Sequence, residues 1–350
     1  MEVGLVGLPA CGKTTLFNAL TGSRAAGFSD KPHVGVAAIP DPRLDLIASF
    51  IPPQKVIAAT IRFVDIPGVP PGSDAKKISG FLEHVRQVDA VCHVVRCFDD
   101  GRRVDAAGDI EKMDTELILA DLIVAEGARD KAERTARSGD RDALQRIAVL
   151  NAVSALLEDG KPIRVKADWS EPERMILRSY GLISARPVLY VANVAEGDLA
   201  GQSADARAVV ARAESTGGQA VVVCAKLEAE LAELEEADRE EMLTSMGLDE
   251  PAIGPLARAA MRLLGLSNFY TAGDKEVRSW PIQAGATARE AAGAIHSDLE
   301  RGFIRAECYH LDDLVRHKSE KAIREAGRLR SEGKGYIMRD GDIVHFLFNV

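Results

Sequence analysis

Gly7-Leu8-Pro9-Ala10-Cys11-Gly12-Lys13-Thr14-Thr15 reads as a phosphate-binding loop. Glycines at 7 and 12 let consecutive backbone N–H groups turn toward an oxyanion, and Lys13 reaches the outer phosphates. The hydroxyl of Thr14 suits a Mg2+ ligand. Before the loop, Val3-Gly4-Leu5-Val6 has the apolar continuity of a buried strand; after it, 14–20 has the spacing of an amphipathic helix. A chance Gly-rich turn lacks that context. Leu8, Pro9, Ala10, Cys11, Gly12, Lys13, Thr14 and Thr15 are therefore the expected phosphate-side contacts.

The same strand pattern recurs outward from the loop at 61–64, 90–95, 188–192 and 220–223, with amphipathic stretches such as 80–88 between. Short apolar runs alternating with helical spacing predict an α/β fold, a parallel sheet covered by helices. From about 110 to 179 the strand signal stops. Helical spacing with alternating charge at 116–126, 129–137 and 141–157, interrupted at Ser138-Gly139 and Gly160-Lys161-Pro162, predicts a coiled-coil-like helical hairpin inserted in the sheet domain. After Gly265 the period becomes two at 269–270, 277–282, 304–309 and 335–350, with one helix expected at 288–301. Asp340-Gly341-Asp342 reads as the turn of a hairpin joining Tyr336-Ile337-Met338 to 343–348. The expected domains are a P-loop domain at 1–110 and 181–265, a helical insertion at 111–180 and a small α+β domain at 266–350.

Bulk properties fit this layout. A length of 350 residues suits two or three domains, and 46% apolar with 28% charged residues is ordinary for a globular chain. A net charge of −9 argues against whole-surface attraction to nucleic acid and leaves only local basic patches. No apolar run approaches the ~20 residues that span a bilayer and no secretory signal is visible, so a cytoplasmic protein without membrane contact is expected. The five scattered cysteines suit reduced thiols, and Cys92 and Cys97 are not spaced as a metal or redox pair.

Two further motifs complete a nucleotide site. A metal-side carboxylate should end a second buried strand, and Asp65 does so in Phe63-Val64-Asp65-Ile66-Pro67-Gly68. It would hold Mg2+ through water, while Gly68 approaches the γ-phosphate unobstructed. Lys13, Thr14, Asp65 and Gly68 form the expected catalytic set. After the strand at 188–192 comes Asn193-Val194-Ala195-Glu196, where a GTPase carries Asn-Lys-x-Asp. Val194 for Lys and Glu196 for Asp make a poor guanine contact. Cys224-Ala225-Lys226 occupies the companion base-side loop. Cys11, near a helix N-terminus and Lys13, is placed for a lowered thiol pKa and a redox switch, against the favoured reading as a small side chain tolerated in a variable loop position; His93, Trp169 and Trp280 read as packing residues.

On these residues the chain resembles the YchF / Obg-like ATPase family. The resemblance covers nearly the whole sequence, including Pro40-Asp41-Pro42-Arg43-Leu44, His93-Val94-Val95-Arg96-Cys97-Phe98, 115–121, 189–196 and Gly302-Phe303-Ile304-Arg305-Ala306-Glu307. The last run, with 340–343 and Phe348-Asn349-Val350, is similar to the family's C-terminal ubiquitin-like TGS domain, a β-grasp fold. The resemblance implies Mg2+-dependent, slow hydrolysis of ATP with GTP weaker, and a monomer that associates with the ribosome, on its large subunit. Arg129, Lys131, Arg134, Arg137 and Arg141 are candidates for ribosomal RNA contact against a solvated charged face.

Three departures mark this chain. Ala10 and Cys11 stand where the family's loop reads Asn-Val, and the Asn holds an activating potassium ion in related GTPases. The segment 28–35 lacks the Thr that the family offers to Mg2+, leaving Ser29 as the nearest hydroxyl. The loop after Phe98 is short and has no His, and the stretch 69–81 is trimmed; Val69, where a GTPase carries its water-orienting Gln, instead follows the family, which is hydrophobic there. The expectation is firm binding with slow turnover; a nucleotide-gated binding module with little hydrolysis, or a GTPase, are the alternatives.

Overall fold

The structure, a computed structural model, describes residues 1–25, 31–69, 73, 75–136 and 140–349. In chain order the elements are β1 (Glu2–Val6), α1 (Lys13–Thr21), β2 (His33–Ala38), α2 (Pro42–Phe50), β3 (Lys55–Ile57), β4 (Thr60–Asp65), α3 (Ala75–Gln87), β5 (Ala90–Cys97), α4 (Ala106–Ala136) and α5 (Arg141–Glu158). They continue with α6 (Glu171–Ser179), β6 (Val188–Val194), α7 (Ala204–Ser215), β7 (Gln219–Val223), α8 (Ala225–Glu233), α9 (Glu236–Ser245) and α10 (Ile253–Leu263). The last stretch holds β8 (Leu266–Ala272), β9 (Glu276–Gln283), α11 (Ala288–Ile295), α12 (Ser297–Arg301), β10 (Phe303–His310), α13 (Leu311–His317), α14 (Glu320–Glu325), β11 (Arg330–Glu332) and β12 (Asp342–Phe348). They form two units, Met1–Val36 with Arg62–Ala260, and Ala37–Ile61 with Met261–Val350.

The first unit is built on a sheet of order β2-β4-β1-β5-β6-β7. The pairings of β1 with β4 and β5, of β5 with β6 and of β6 with β7 are all parallel. Every residue of β6 is buried, which is why it reads as a continuous apolar run rather than an alternating one. One core joins Val6, Val64 and Val95 of the sheet to Phe81 and Val85 of α3, Ile110 and Met113 of α4, Val209 of α7 and Leu227 of α8. Parallel strands end on one edge, so the residues after β1, β4, β5, β6 and β7 gather there, as ligand-binding residues do in open α/β sheets.

The helical insertion has its own core, in which Ile118 and Ala125 of α4 meet Val149, Leu150, Val153 and Leu157 of α5, with Trp169 and Leu177 beyond. The helical spacing expected at 116–126 and from 129 onward lies on α4, which starts ten residues earlier, at Ala106, and runs 31 residues to Ala136, and the spacing at 141–157 lies on α5. Burial of Ile118, Ala125 and Ala132 outweighs the roughly 1 kcal/mol that Gly127 costs in the middle of α4. Asp121, fully buried, accepts from the N–H groups of Ile183 (2.8 Å) and Ser184 (2.6 Å) and ties α4 to the return of the chain.

The second unit carries a sheet of order β11-β10-β12-β8-β9-β3. Phe269, Cys308 and Val344 face α11, while their neighbours Tyr270, Tyr309 and Ile343 face α2, α13 and α14 through Leu44, Ile47, Leu314 and Ile323. Residues 37–61, counted with the P-loop domain in the sequence reading, give this unit a helix and, through parallel pairing of β3 with β9, an edge strand. Asp41 is the hub: it caps α2 at Arg43 N, accepts from the Tyr270 hydroxyl at 2.5 Å and pairs with the Arg43 guanidinium at 2.8 Å.

Two local expectations fail here. The hairpin across 340–342 does not form: β12 pairs antiparallel with β10 and parallel with β8, and Ile337 makes only an isolated bridge to Thr287. Asp342 is fully buried and accepts from Arg330 (2.9 Å) and the Tyr336 hydroxyl (2.8 Å), and the backbone of 336–341 bonds to Ala286, Ala288 and Asn268 instead of to a hairpin partner. The helix at 288–301 breaks at His296, which is extended (φ −162°, ψ 143°) and whose ring caps α12 through Asp298 N.

Candidate nucleotide site

The phosphate loop leaves β1 at Gly7 and enters α1 through Gly12, the helix N-cap at φ 88°. A Cβ at Gly12 would stand 2.1 Å from Asn193 Nδ2, so glycine is required by both conformation and space. No side chain caps α1, which leaves its first N–H groups aimed at the loop's mouth, an anion site. Lys13 is buried and its Nζ lies 3.8 Å from Asp65 Oδ1. The Thr14 hydroxyl donates to Asp65 Oδ2 at 2.8 Å. Asp65 Oδ1 is buried with no hydrogen-bond partner, an acceptor built for a group that joins the site. Gly68 lies against the loop: a Cβ there would fall 2.8 Å from the Gly7 carbonyl oxygen.

Asn193 links this half to the base half. Buried near the end of β6, it donates from Nδ2 to the Cys11 carbonyl (2.8 Å) and accepts at Oδ1 from Ala225 N (2.9 Å). Glu196 opens the short turn Glu196–Asp198, and its carboxylate accepts from Lys226 Nζ at 2.7 Å. A cavity of about 390 Å³ lies between these loops, lined by Gly12, Thr15, Phe98, Asp99, Asn193 to Gly197 and Cys224 to Lys226. Thus Gly12, Thr15, Asn193, Val194, Glu196, Cys224, Ala225 and Lys226 are brought together around one cavity, with Lys13, Thr14 and Asp65 beside it. Leu8 and Pro9 are half-buried and Ala10 is exposed, in the left-handed region at φ 63°. Ser29 lies outside the described residues.

Sequence reading missed Phe98 and Asp99. The available signal was position: they follow β5, whose end pairs with the end of β6, Arg96 opposite Asn193 and Cys97 opposite Val194. The reading of Cys11 as an activated thiol is corrected. The side chain is buried, and that burial raises the thiol pKa more than nearby Lys13 lowers it. His93 is a core residue as read, packed on Tyr190 at 5.6 Å between ring centroids, its pKa pushed down to about 4 by burial. Trp169 is buried and Trp280 stacks on Phe269.

Ribosome-binding ATPase YchF of Haemophilus ducreyi is 42% identical over 362 residues, spanning 100% of this chain and 99% of that protein. The chain belongs to the YchF family. The YchF protein of Bacillus subtilis, also named a ribosome-binding ATPase, is 39% identical over 365 residues, with both chains fully covered. The structure of the Schizosaccharomyces pombe YchF GTPase matches with a TM-score of 0.88 at 31% identity, covering 99% of this chain and 97% of that one. Residues 2–126 match a family described as 50S ribosome-binding GTPase, and 266–349 match the YchF-GTPase C-terminal family, described as a protein of unknown function. YchF membership makes the first unit a P-loop NTPase domain with a helical insertion, the fold class read from the motifs.

Proposed function

We propose that this chain is a Mg2+-dependent ATPase of slow turnover whose nucleotide state governs its association with the ribosome. The observation that carries the reading is the juxtaposition of Lys13, Thr14 and Asp65, whose Oδ1 faces Lys13 without a hydrogen bond, beside a cavity edged by Asn193 and Glu196. Oxygen donors at Thr14 and Asp65 fit a hard divalent cation, with Asp65 acting through water. Mg2+ held there would neutralise charge developing on the β- and γ-phosphates. Lys13 and the N–H groups opening α1 bind the same phosphates, and Gly68 approaches the γ-phosphate. Asn193 fixes the loop that carries Glu196, whose carboxylate offers an acceptor to the adenine 6-amino group, with GTP weaker. Val69 packs against the apolar core and brings no polar atom to a water, which supports slow hydrolysis and keeps a nucleotide-gated module with little turnover as the second reading.

The relatives' names and the family matched by 2–126 support the ribosome, and its large subunit, as partner. Arg129, Lys131 and Arg134 on α4 and Arg141 on α5 are the candidates for RNA contact, and Arg137 lies outside the described residues. Residues 266–350, within the second unit, are assigned as the TGS β-grasp domain of a cytoplasmic monomer. Single-turnover hydrolysis and ribosome co-sedimentation of wild type and Lys13→Ala test the proposal. The variant is expected to lose at least ~100-fold in hydrolysis and the nucleotide dependence of co-sedimentation. Wild-type rates from Lys13→Ala contradict an enzyme; ATP-dependent co-sedimentation without turnover supports the second reading.

A further inference from the structure

The chain from Phe98 to Arg103 crosses the edge of the base cavity with neither a strand nor a helix to satisfy its carbonyls. One side chain does that work. Arg96, on β5 and with only 10% of its side chain exposed, donates from Nη1 to the carbonyls of Phe98 (3.4 Å) and Arg102 (3.3 Å) and to Asp100 Oδ1 (2.7 Å). Its Nη2 donates to the Arg103 carbonyl at 2.8 Å. Asp99 and Asp100 tighten the turn by accepting from the N–H groups of Gly101 and Arg102, and Gly101 takes φ 85°. The loop itself is largely exposed, but the Arg96 guanidinium that gathers it is not, and a guanidinium supplies five donors in a rigid fork that a lysine cannot reproduce.

The register explains why this matters to the site. Arg96 lies opposite Asn193 across the β5–β6 ladder, so the loop Arg96 holds emerges beside the loop Asn193 holds, and both line the cavity. Phe98 is the aromatic side chain of that lining. An aromatic ring at the wall of a purine cavity stacks on the base whatever its hydrogen-bonding edge, and contributes only if it is held in place.

We infer that Arg96 is a positioning residue for the nucleotide base: it holds Phe98 in the cavity wall, and so sets base affinity without touching the nucleotide. This rests on the nucleotide reading of the cavity. It adds a third loop, after β5, to the two that the motifs identify, and makes that loop serve ATP and GTP alike while Glu196 separates them.

The test measures binding of ATP, GTP and inorganic tripolyphosphate to wild type, Phe98→Ala, Arg96→Ala, Arg96→Lys and the Phe98→Ala/Arg96→Ala double variant. Asp100→Ala, which removes a surface partner of the same anchor, serves if Arg96→Ala does not fold. Phe98→Ala and Arg96→Ala are each expected to weaken ATP and GTP by about tenfold or more, the scale of one lost base stack. Tripolyphosphate, which has no base, should stay within about twofold of wild type. The double variant should be no weaker than Phe98→Ala, since both act through one ring, and Arg96→Lys should fall between. Equal losses for ATP and tripolyphosphate would mean general destabilisation and overturn the inference, as would additive losses or unchanged ATP binding by folded Arg96→Ala or Asp100→Ala. If the wild-type chain binds tripolyphosphate but gains nothing from a base, the cavity assignment fails as well; if it binds no triphosphate, the nucleotide reading itself fails.

Discussion

Asn193 donates to the Cys11 carbonyl and accepts from Ala225 N, so one buried side chain ties the phosphate loop to the base loop. Truncation to alanine leaves a carbonyl and an N–H unpaired, each costing about 1–3 kcal/mol. Asn193→Ala is therefore expected to lose about 2–4 kcal/mol in urea unfolding, and a loss below about 0.5 kcal/mol would show that the link carries little. Ala10 is strained in the opposite sense. A non-glycine residue at φ 63° suits asparagine better than alanine, and Ala10→Asn should stabilise the chain by about 0.5–1 kcal/mol in the same assay. Cys11 gives a chemical check: because burial raises its thiol, iodoacetamide at neutral pH should modify it only after denaturation, as read by mass spectrometry. The motif placed Cys11 near a helix start, but not its burial, which depends on Gly7 and the strand behind it. Phe98 was illegible for a like reason, since its role comes from the β5–β6 register and no local pattern announces it.

Strand β5 carries His93 through the middle of the sheet, against Tyr190. Its pKa falls from 6.5 to about 4 because the charged ring loses its water on burial. The folded state then takes up this proton at lower pH than the unfolded state does. Its contribution is complete above pH 6.5 and is lost progressively as pH falls toward 4, by about 3 kcal/mol. Unfolding free energies between pH 7 and 4 should fall less steeply in His93→Gln than in wild type; parallel slopes would exclude His93 as the source. On α4, Asp121→Ala leaves the Ile183 and Ser184 amides unmatched and should lower stability by about 2–5 kcal/mol. Strands β1, β5 and β6 were legible because near-complete burial makes them apolar runs, and β4 and β7 show shorter apolar runs although β7 is mostly half-buried. The end of the chain was not: Asp340-Gly341-Asp342 has turn composition, but β12 finds its partners in β10 and β8, and a sequence does not display long-range pairing.

At the scale of the whole chain, residues 37–61 leave the first unit at the end of β2 and the chain returns to it at Arg62, in the strand that ends at Asp65. Their helix buries Leu44 and Ile47 in the core of the second unit, so neither unit is a contiguous stretch of sequence. A fragment ending at residue 260 should expose that helix, and hydrogen exchange should show 42–50 unprotected, whereas the full chain protects it. The excursion was invisible in the sequence because β3 and α2 are short and their partner β9 lies more than 200 residues away. The same two-unit chain places its nucleotide chemistry in the first unit, and the central claim is that this site is built for Mg2+ and ATP. Displacement of a fluorescent ATP analogue from the wild-type chain, by ATP and by GTP, with and without Mg2+, tests it directly. The account predicts that ATP displaces at least ~10-fold more tightly than GTP and that Mg2+ strengthens binding; GTP displacing as well as ATP, or Mg2+ making no difference, would contradict it.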